Sequence, residues 1–297
     1  MQLKLSREHK NLIFAAILIL PAILLLIVTI VIPLLQSFAM SLQDYSLLQP
    51  TSSWNQFENY TSILMSSEFY DAFGVTLRYV GIAVGMELVL GMIIALVLNS
   101  RVILRGFFRS VLMLPWAIPT IVASLIFMWM YQTDYGVFNY LLKNAGLIDE
   151  NVNWLSSFDF ALAAILIVAI WKQTPLMTLM LLAGMQNISR SLYEAARIDG
   201  ANATQVFFRI TLPLLKPVIA TVTLMLIVQN FQMFTLFFTL TGGGPVDATQ
   251  SLAILTYETA FEKYDFGRGS AIGVIWMAVL FIFSIAFTKI MNRGSAH

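Results

Sequence analysis

Four polar side chains lie well inside long apolar stretches of this 297-residue sequence: Glu87, Lys172, Gln229 and Asn230. An ionisable group at the centre of a bilayer costs at least about 2.5 kcal/mol on insertion scales, so such residues face the interior of a helix bundle or water. Amide side chains both donate and accept hydrogen bonds, which matches the hydroxyl groups of a polar solute. The pattern indicates a binding site for a polar solute. The structural alternative is that Glu87 pairs with Lys172 and that the amides only join helices.

Residues for other kinds of chemistry are missing from the sequence. There is no cysteine, which excludes disulfides and thiol chemistry, and the two histidines stand near opposite ends of the chain. No glycine-rich loop ending in Gly-Lys-Ser/Thr occurs, so we expect no nucleotide site on this chain. We therefore predict no catalytic residue, no metal site and no cofactor, and hence no enzyme.

Composition and apolar stretches point to a membrane protein. The chain is 59% hydrophobic and 11% charged, whereas soluble domains carry about 25% charged residues. A helix needs about 20 apolar residues to cross the hydrocarbon core, and six stretches reach that length. They are residues 12–35, 75–98, 107–131, 160–183, 218–240 and 270–290. The first exceeds the 7–15 apolar residues of a signal peptide, which favours a retained helix. We predict an all-α protein with six transmembrane helices in the cell (plasma or inner) membrane.

The distribution of charge predicts the orientation. Basic residues concentrate on alternate connecting segments: Lys4, Arg7, Lys10, Arg101, Arg105, Arg109, Arg190, Arg197, Arg209, Lys216, Lys289 and Arg293. Cytoplasmic loops carry the excess of lysine and arginine. Both termini and the long loop before the fifth stretch are therefore predicted to be cytoplasmic.

That long basic loop has a readable local pattern. Ser191 and Glu194 have the spacing of a capping box at a helix start, and Gly200 suits the left-handed position that ends a helix. Asn202 suits the cap of a second short helix through Ile210. We predict two short helices with a bend outside the bilayer, followed by Pro213 at the start of the fifth span.

Beyond its local structure, the loop resembles the coupling loop of importer-type ABC transporter permeases. Its pattern is Glu-Ala-Ala, three residues, glycine, nine residues, isoleucine, one residue and Leu-Pro over residues 194–213. The resemblance implies that a separate ATPase docks on it. The residues that would carry coupling are Glu194, Ala195, Ala196, Asp199, Gly200, Ala201, Ile210 and Pro213.

Further motifs narrow the resemblance to carbohydrate-uptake permeases similar to the maltose and trehalose systems. They are Arg-Gly-Phe-Phe-Arg at 105–109, Leu-Pro-Trp-Ala-Ile-Pro at 114–119, Thr-Gly-Gly-Gly-Pro at 241–245 and Gly-Arg-Gly-Ser-Ala at 267–271. The resemblance covers roughly residue 55 to the C-terminus and departs from the family pattern at Phe57, where leucine is usual.

This family implies a type I ABC importer permease fold and a multi-subunit complex. The partners would be a homologous second permease, an ATPase dimer that holds ATP and Mg²⁺, and an extracytoplasmic solute-binding protein. The resemblance also favours a solute-binding role over helix packing for two stretches inside the spans. We predict a pocket from Lys172, Gln173, Gln229 and Asn230, with Leu176, Leu226 and Met233 as apolar walls, because each set recurs at helical spacing.

The predicted organisation has three parts. Residues 1–71 form an N-terminal helix with an outer segment, residues 72–291 form the permease core with the coupling loop at about 184–215, and residues 292–297 form a tail. The predicted function is a permease subunit for di- or oligosaccharides, in contact with the lipid bilayer and not with nucleic acid. One alternative is an ABC permease for another polar solute such as glycerol phosphate. The other is an ion-coupled secondary transporter, which predicts internal repeats and a relay of intramembrane acids.

Overall fold

The computed structural model describes residues 7–48, 52–100 and 103–292. Most of the predicted tail, residues 293–297, lies outside the described residues, as do short pieces of the N-terminal part. Helices dominate the described chain, in agreement with the predicted fold class, and a two-stranded antiparallel hairpin pairs β1 (Gln43–Asp44) with β2 (Ser53–Trp54).

The N-terminal half is mainly helical. Its helical elements are α1 (Arg7–Leu26), a π-helical turn (Ile27–Val31), α2 (Ile32–Met40), α3 (Glu58–Leu64), α4 (Ser67–Asn99), α5 (Arg105–Ala117), α6 (Thr120–Met130) and α7 (Val137–Asn144). The β1–β2 hairpin lies between α2 and α3. The C-terminal half holds α8 (Ala161–Gln186), α9 (Arg190–Ile198), α10 (Ala203–Val206), a π-helical turn (Phe207–Thr211), α11 (Leu212–Phe231), α12 (Thr235–Leu240), α13 (Leu252–Tyr257), a π-helical turn (Glu258–Glu262) and α14 (Phe266–Asn292).

Five continuous helical segments are long and apolar enough to cross a membrane. They are Phe14–Met40, Ser67–Asn99, Ala161–Gln186, Ala203–Phe231 and Phe266–Met291. The sixth predicted span is the pair α5 and α6, which bend by 89° at their junction. The apolar stretch predicted at residues 107–131 is therefore a broken span of two helices rather than one continuous helix. The physical reason is Pro119, which has no N–H and holds Ile118 in an extended conformation (φ −69°, ψ 131°).

The fifth span also differs from its predicted limits. It begins at Ala203 rather than near residue 218, and it ends at Phe231. The remaining residues of the predicted stretch form the separate helix α12, after a break at residues 232–234.

The chain divides into two compact units. The first has its described residues within Met1–Met65 and Thr256–Trp276. There Asn59 donates hydrogen bonds to the carbonyl oxygens of Ser41 (3.0 Å) and Gln43 (2.9 Å). Gly267 donates from its backbone to the Tyr45 carbonyl (3.0 Å), and a side chain at this position would collide with the Gln43 carbonyl. The glycine that opens the Gly-Arg-Gly-Ser-Ala motif is thus required by backbone packing.

The second unit has its described residues within Ser66–Leu255 and Met277–His297, and it holds the candidate sites. Its centre is the packing of α4 on α8, where small residues let the helix backbones approach. Gly91 of α4 faces Met177 of α8 with no room for a β-carbon. α11 packs on both of these helices, and α12 packs on α6. Polar residues on α4, α8 and α11 are therefore placed next to neighbouring helices.

Candidate functional site

The coupling loop contains the helix stop that its glycine predicted. Gly200 has φ +76°, its N–H donates to the Arg197 carbonyl (3.1 Å), and Ala201 N–H donates to the Ala196 carbonyl (2.9 Å). This pair of hydrogen bonds is a Schellman motif, which closes α9 at Ile198 and turns the chain. The predicted left-handed glycine is confirmed.

The start of α9 differs from the prediction. The helix begins at Arg190 with Ser189 in the N-cap position, so Ser191 already lies in the first turn. The Ser191 hydroxyl is 2.8 Å from that of Ser189 and caps no backbone amide. The predicted capping box of Ser191 and Glu194 is therefore wrong, and Glu194 is left as an exposed carboxylate on the helix surface.

A capping box does occur at the second helix of the loop. The Asn202 side chain accepts from the Gln205 N–H and the Gln205 side chain accepts from the Asn202 N–H, each at 2.9 Å. The predicted cap at Asn202 is thus confirmed. The predicted end at Ile210 is wrong, because the chain continues through the π-helical turn into α11. Pro213 follows this π-helical turn and does not break the segment, because a local π adjustment of the backbone accommodates the missing N–H of a proline.

The eight predicted coupling residues differ in exposure: five lie on the surface of the loop, and three lie partly or fully beneath it. Glu194, Ala195, Asp199, Gly200 and Pro213 are exposed, Ala201 and Ile210 are half-buried, and Ala196 is buried. Ile198 at the end of α9 is 85% exposed. The exposed face of α9 thus combines acidic, small and apolar groups, a composition suited to a protein partner.

Asn230 forms a buried hydrogen-bonded network with two residues of α4. Its Nδ2 lies 3.3 Å from both carboxylate oxygens of Glu87, and Tyr79 Oη donates to its Oδ1 (3.0 Å). Glu87 is 0% exposed and Asn230 is 1% exposed. The polar atoms of Asn230 are thus committed to helix packing. Sequence reasoning missed Tyr79, because a tyrosine near the end of a predicted span resembles an interfacial residue.

Lys172 binds the backbone at the break between α5 and α6 in the third span. Its Nζ donates to the carbonyl oxygens of Trp116 (3.2 Å) and Ile118 (2.7 Å), at the end of α5. These carbonyls precede the bend at Pro119, and the negative end of the helix dipole favours a cation there. No hydrogen bond or ion pair joins Lys172 to Glu87 in the described chain, so the predicted alternative of that pair is wrong. The sequence pattern did not show the break that creates the carbonyl pair.

The other members of the predicted pocket lie in different environments. Leu226 is fully buried, Leu176 and Met233 are half-buried, and Gln229 is exposed. Gln173 is 8% exposed, and its Oε1 has no hydrogen-bond partner among the described residues. Gln173 and Gln229 thus keep amide groups available, whereas Lys172 and Asn230 use theirs within the chain.

Comparison with known proteins identifies the family. Residues 87–296 match the family described as binding-protein-dependent transport system inner membrane component. The trehalose/maltose transport system permease protein of Thermococcus litoralis is 38% identical over 92% of both chains. The sulfoquinovosyl glycerol transport system permease protein of Agrobacterium fabrum is 36% identical over 94% of this chain and 91% of its own.

Solved structures show the same fold. A chain of a bacterial ABC transporter involved in alginate import aligns with a TM-score of 0.84 at 21% identity, covering 97% of this chain and 98% of that chain. Six apolar spans, the coupling-loop pattern and a family match over most of the sequence agree with one another. The chain belongs to the binding-protein-dependent transport system inner membrane components, and is a multi-pass permease subunit of an ABC importer with the type I fold.

Proposed function

We propose that this chain is the permease subunit of an ATP-driven importer of di- or oligosaccharides. The observation that carries the proposal is similarity along nearly the whole chain to permeases named for trehalose/maltose and for sulfoquinovosyl glycerol transport. Both names describe carbohydrate or glycoside cargo. A chain that matches such relatives over more than nine-tenths of its length has the elements that a transport path of that kind requires.

The contacts of Lys172 remove the main sequence argument for a cargo such as glycerol phosphate. A cation within a span is a candidate partner for an anionic solute. Here the ammonium group already donates to two backbone carbonyls. Unwound backbone carbonyls at broken helices bind coupling ions in many secondary transporters, and Lys172 occupies those of this break. The lysine therefore supports neither an anionic solute nor an ion-coupled mechanism.

Within the predicted pocket, Gln173 and Gln229 are the proposed solute contacts. Gln229 is an exposed amide within a predominantly apolar membrane-spanning helix, and such a group faces a water-filled path or a partner helix rather than lipid. A buried acceptor without a partner costs about 1–3 kcal/mol, and a sugar hydroxyl would satisfy Gln173 Oε1. Leu176, Leu226 and Met233 remain the proposed apolar walls, and Lys172 and Asn230 position the helices that carry the contacts.

We assign the exposed face of α9 as the surface on which an ATPase subunit docks and through which it would drive transport. Glu194, Ala195, Asp199 and Gly200 present this face, while Ala196, Ala201 and Ile210 support it from below. ATP and Mg²⁺ would bind to an ATPase dimer, and this chain would bind neither. The remaining proposed partners are a second, homologous permease and an extracytoplasmic binding protein. A related structure of an alginate transporter contains an alginate-bound periplasmic protein.

The deciding experiment is uptake by the assembled transporter in proteoliposomes, after the ligand of the cognate binding protein has been identified. Gln229→Ala should raise the KM for that ligand about three- to tenfold, because a neutral hydrogen bond contributes about 0.5–1.5 kcal/mol. ATPase stimulation by the loaded binding protein should remain. The matched control is Gln232→Ala, an exposed amide three residues further along. A binding protein that carries no carbohydrate would contradict the proposal.

A further inference from the structure

A cavity of about 480 Å³ opens between the start of α5 and the end of α8. Its lining residues are Arg109, Ser110, Met113, Leu179, Leu182, Ala183 and Gln186. Gln186 ends α8 only four residues before α9 begins. The lining residue of α8 nearest to Lys172 is Leu179, seven residues away, or about 10 Å at 1.5 Å per residue. Neither Gln173 nor Gln229 lines the cavity, so the proposed solute contacts do not form it.

The arginines of α5 carry donors that the chain leaves unused. The Nε atoms of Arg105 and Arg109 are buried and have no hydrogen-bond partner among the described residues. The two residues are four apart and lie on one face of α5. Arg105 makes one long hydrogen bond, from Nη2 to Asn99 Oδ1 (3.4 Å). A buried charged donor without an acceptor is unfavourable, so an anionic acceptor is expected at Arg109.

Polarity changes along the cavity in the same direction on both helices. α5 begins at this side of the cavity, and there Arg109 and Ser110 precede Met113 by one turn. α8 ends at the same side, where Gln186 follows Leu179 and Leu182. The polar groups thus lie at the helix ends and the apolar groups lie deeper in the spans. This order matches a phospholipid, whose charged headgroup lies at the surface and whose acyl chains lie below it.

The surroundings of Arg109 favour lipid over a soluble anion. Phe107 and Phe108 beside it are 63% and 48% exposed, and their rings pack edge to face at 5.9 Å. Exposed aromatic rings at the end of a span lie among lipid headgroups and upper acyl chains. Basic pockets between transmembrane helices on the cytoplasmic side are a known type of site for anionic headgroups.

We propose that this cavity binds an anionic phospholipid of the cytoplasmic leaflet, with the phosphate on Arg109 and an acyl chain along Met113, Leu179 and Leu182. The inference goes beyond the proposed transport function and rests only on its orientation, in which the coupling loop is cytoplasmic. A bound lipid would join the ends of α5 and α8 directly before the segment that meets the ATPase.

Native mass spectrometry of the assembled transporter tests the binding. After equilibration in detergent with equal amounts of phosphatidylglycerol and phosphatidylcholine, the wild type should retain phosphatidylglycerol with a preference of about fivefold, the effect of one basic residue. Arg109→Gln should abolish the preference, whereas Arg109→Lys should keep part of it. Arg78→Gln, an exposed arginine of α4 outside the cavity, should leave it unchanged.

A second variant covers the case in which Arg109→Gln does not assemble. Ala183→Phe places a large ring in the apolar part of the cavity while Arg109 stays, and it should also reduce phosphatidylglycerol retention. Equal retention by the wild type and by both variants would overturn the proposal. Displacement of the lipid by inorganic phosphate would overturn it as well, because the site would then be one for a free anion.

The orientation is tested separately, so that its failure can be distinguished from a failure of lipid binding. The chain contains no cysteine, so Asn187→Cys introduces a single thiol at an exposed position next to the cavity. A membrane-impermeant maleimide should label it only from the cytoplasmic side. Labelling from the opposite side would overturn the assignment to the cytoplasmic leaflet.

Discussion

The residues that the sequence grouped into one pocket have different roles. Asn230 and Glu87 share a buried network with Tyr79, and Lys172 binds two carbonyls of the broken span. Among the four polar members, Gln173 and Gln229 keep amide groups for which the described residues provide no hydrogen-bond partner. Residue type and depth suggested a site, but hydrogen-bond partners decided which side chains are available for solute.

At this scale the first prediction concerns Asn230→Leu. The change removes the amide group that Glu87 and Tyr79 contact, so it should destabilise the complex by about 1–3 kcal/mol. The thermal midpoint of the purified transporter in detergent measures the effect. The control is Gln229→Leu, the neighbouring residue, which is exposed and should leave the midpoint nearly unchanged. Equal midpoints for the wild type and Asn230→Leu would show that the network contributes nothing.

The second prediction concerns Lys172→Met. Removing the ammonium group leaves the carbonyls of Trp116 and Ile118 without this donor, so the bend between α5 and α6 should loosen and the thermal midpoint should fall. Lys143→Met, in an exposed lysine of α7, is the matched control.

Combining Lys172→Met with Glu87→Gln distinguishes this role from an ion pair. Among the described residues, Lys172 and Glu87 share no hydrogen-bond partner, and changes at sites without shared partners usually add. We therefore expect the loss of stability in the double variant to equal the sum of the single losses. Recovery of stability or transport in the double variant would indicate that the two residues pair after all.

At the scale of secondary-structure elements, the coupling loop shows most clearly which features follow from residue type. Its glycine turn and its asparagine cap are local features, and both follow from residue type. The break of the third span is local as well, since it occurs at Pro119, but proline inside a membrane helix is compatible with a straight span or a bent one. Residue type therefore located the possible break at Pro119, and the tertiary structure showed that the span bends there by 89°.

At the scale of the element, Gly200→Val and Gly200→Asn form a matched pair. Valine is strained at φ +76°, whereas asparagine tolerates the left-handed region. Valine should abolish uptake and binding-protein-stimulated ATPase activity, with normal amounts of complex in the membrane, and asparagine should keep most of both activities. Normal uptake by the valine variant at normal expression would refute a coupling role for this turn.

At the scale of the whole molecule, the fourth prediction follows from the proposal that ATP binds to a separate ATPase subunit. The sequence has no glycine-rich phosphate loop, so the purified chain alone should bind no labelled ATP at micromolar concentrations. Equilibrium binding measures this directly, and the same preparation combined with its ATPase partner is the positive control. Micromolar affinity of the isolated chain would contradict the assignment of ATP to another subunit.

The sequence by itself determined the properties that depend on neighbouring residues. Six apolar stretches gave the membrane class, because the thickness of the hydrocarbon core fixes the length of a span. Gly200 gave the turn in the coupling loop, because a left-handed residue favours glycine. The spacing of the coupling motif gave the family, which the comparison confirmed.

Only the tertiary structure decided the partners of the polar groups in the spans. Lys172 binds carbonyls 54 and 56 residues away, and Asn230 binds a carboxylate 143 residues away. Helical periodicity places a side chain on a face of its own helix, but it does not say which helix that face meets. The same holds for the cavity at Arg109, which exists because the start of α5 lies beside the end of α8.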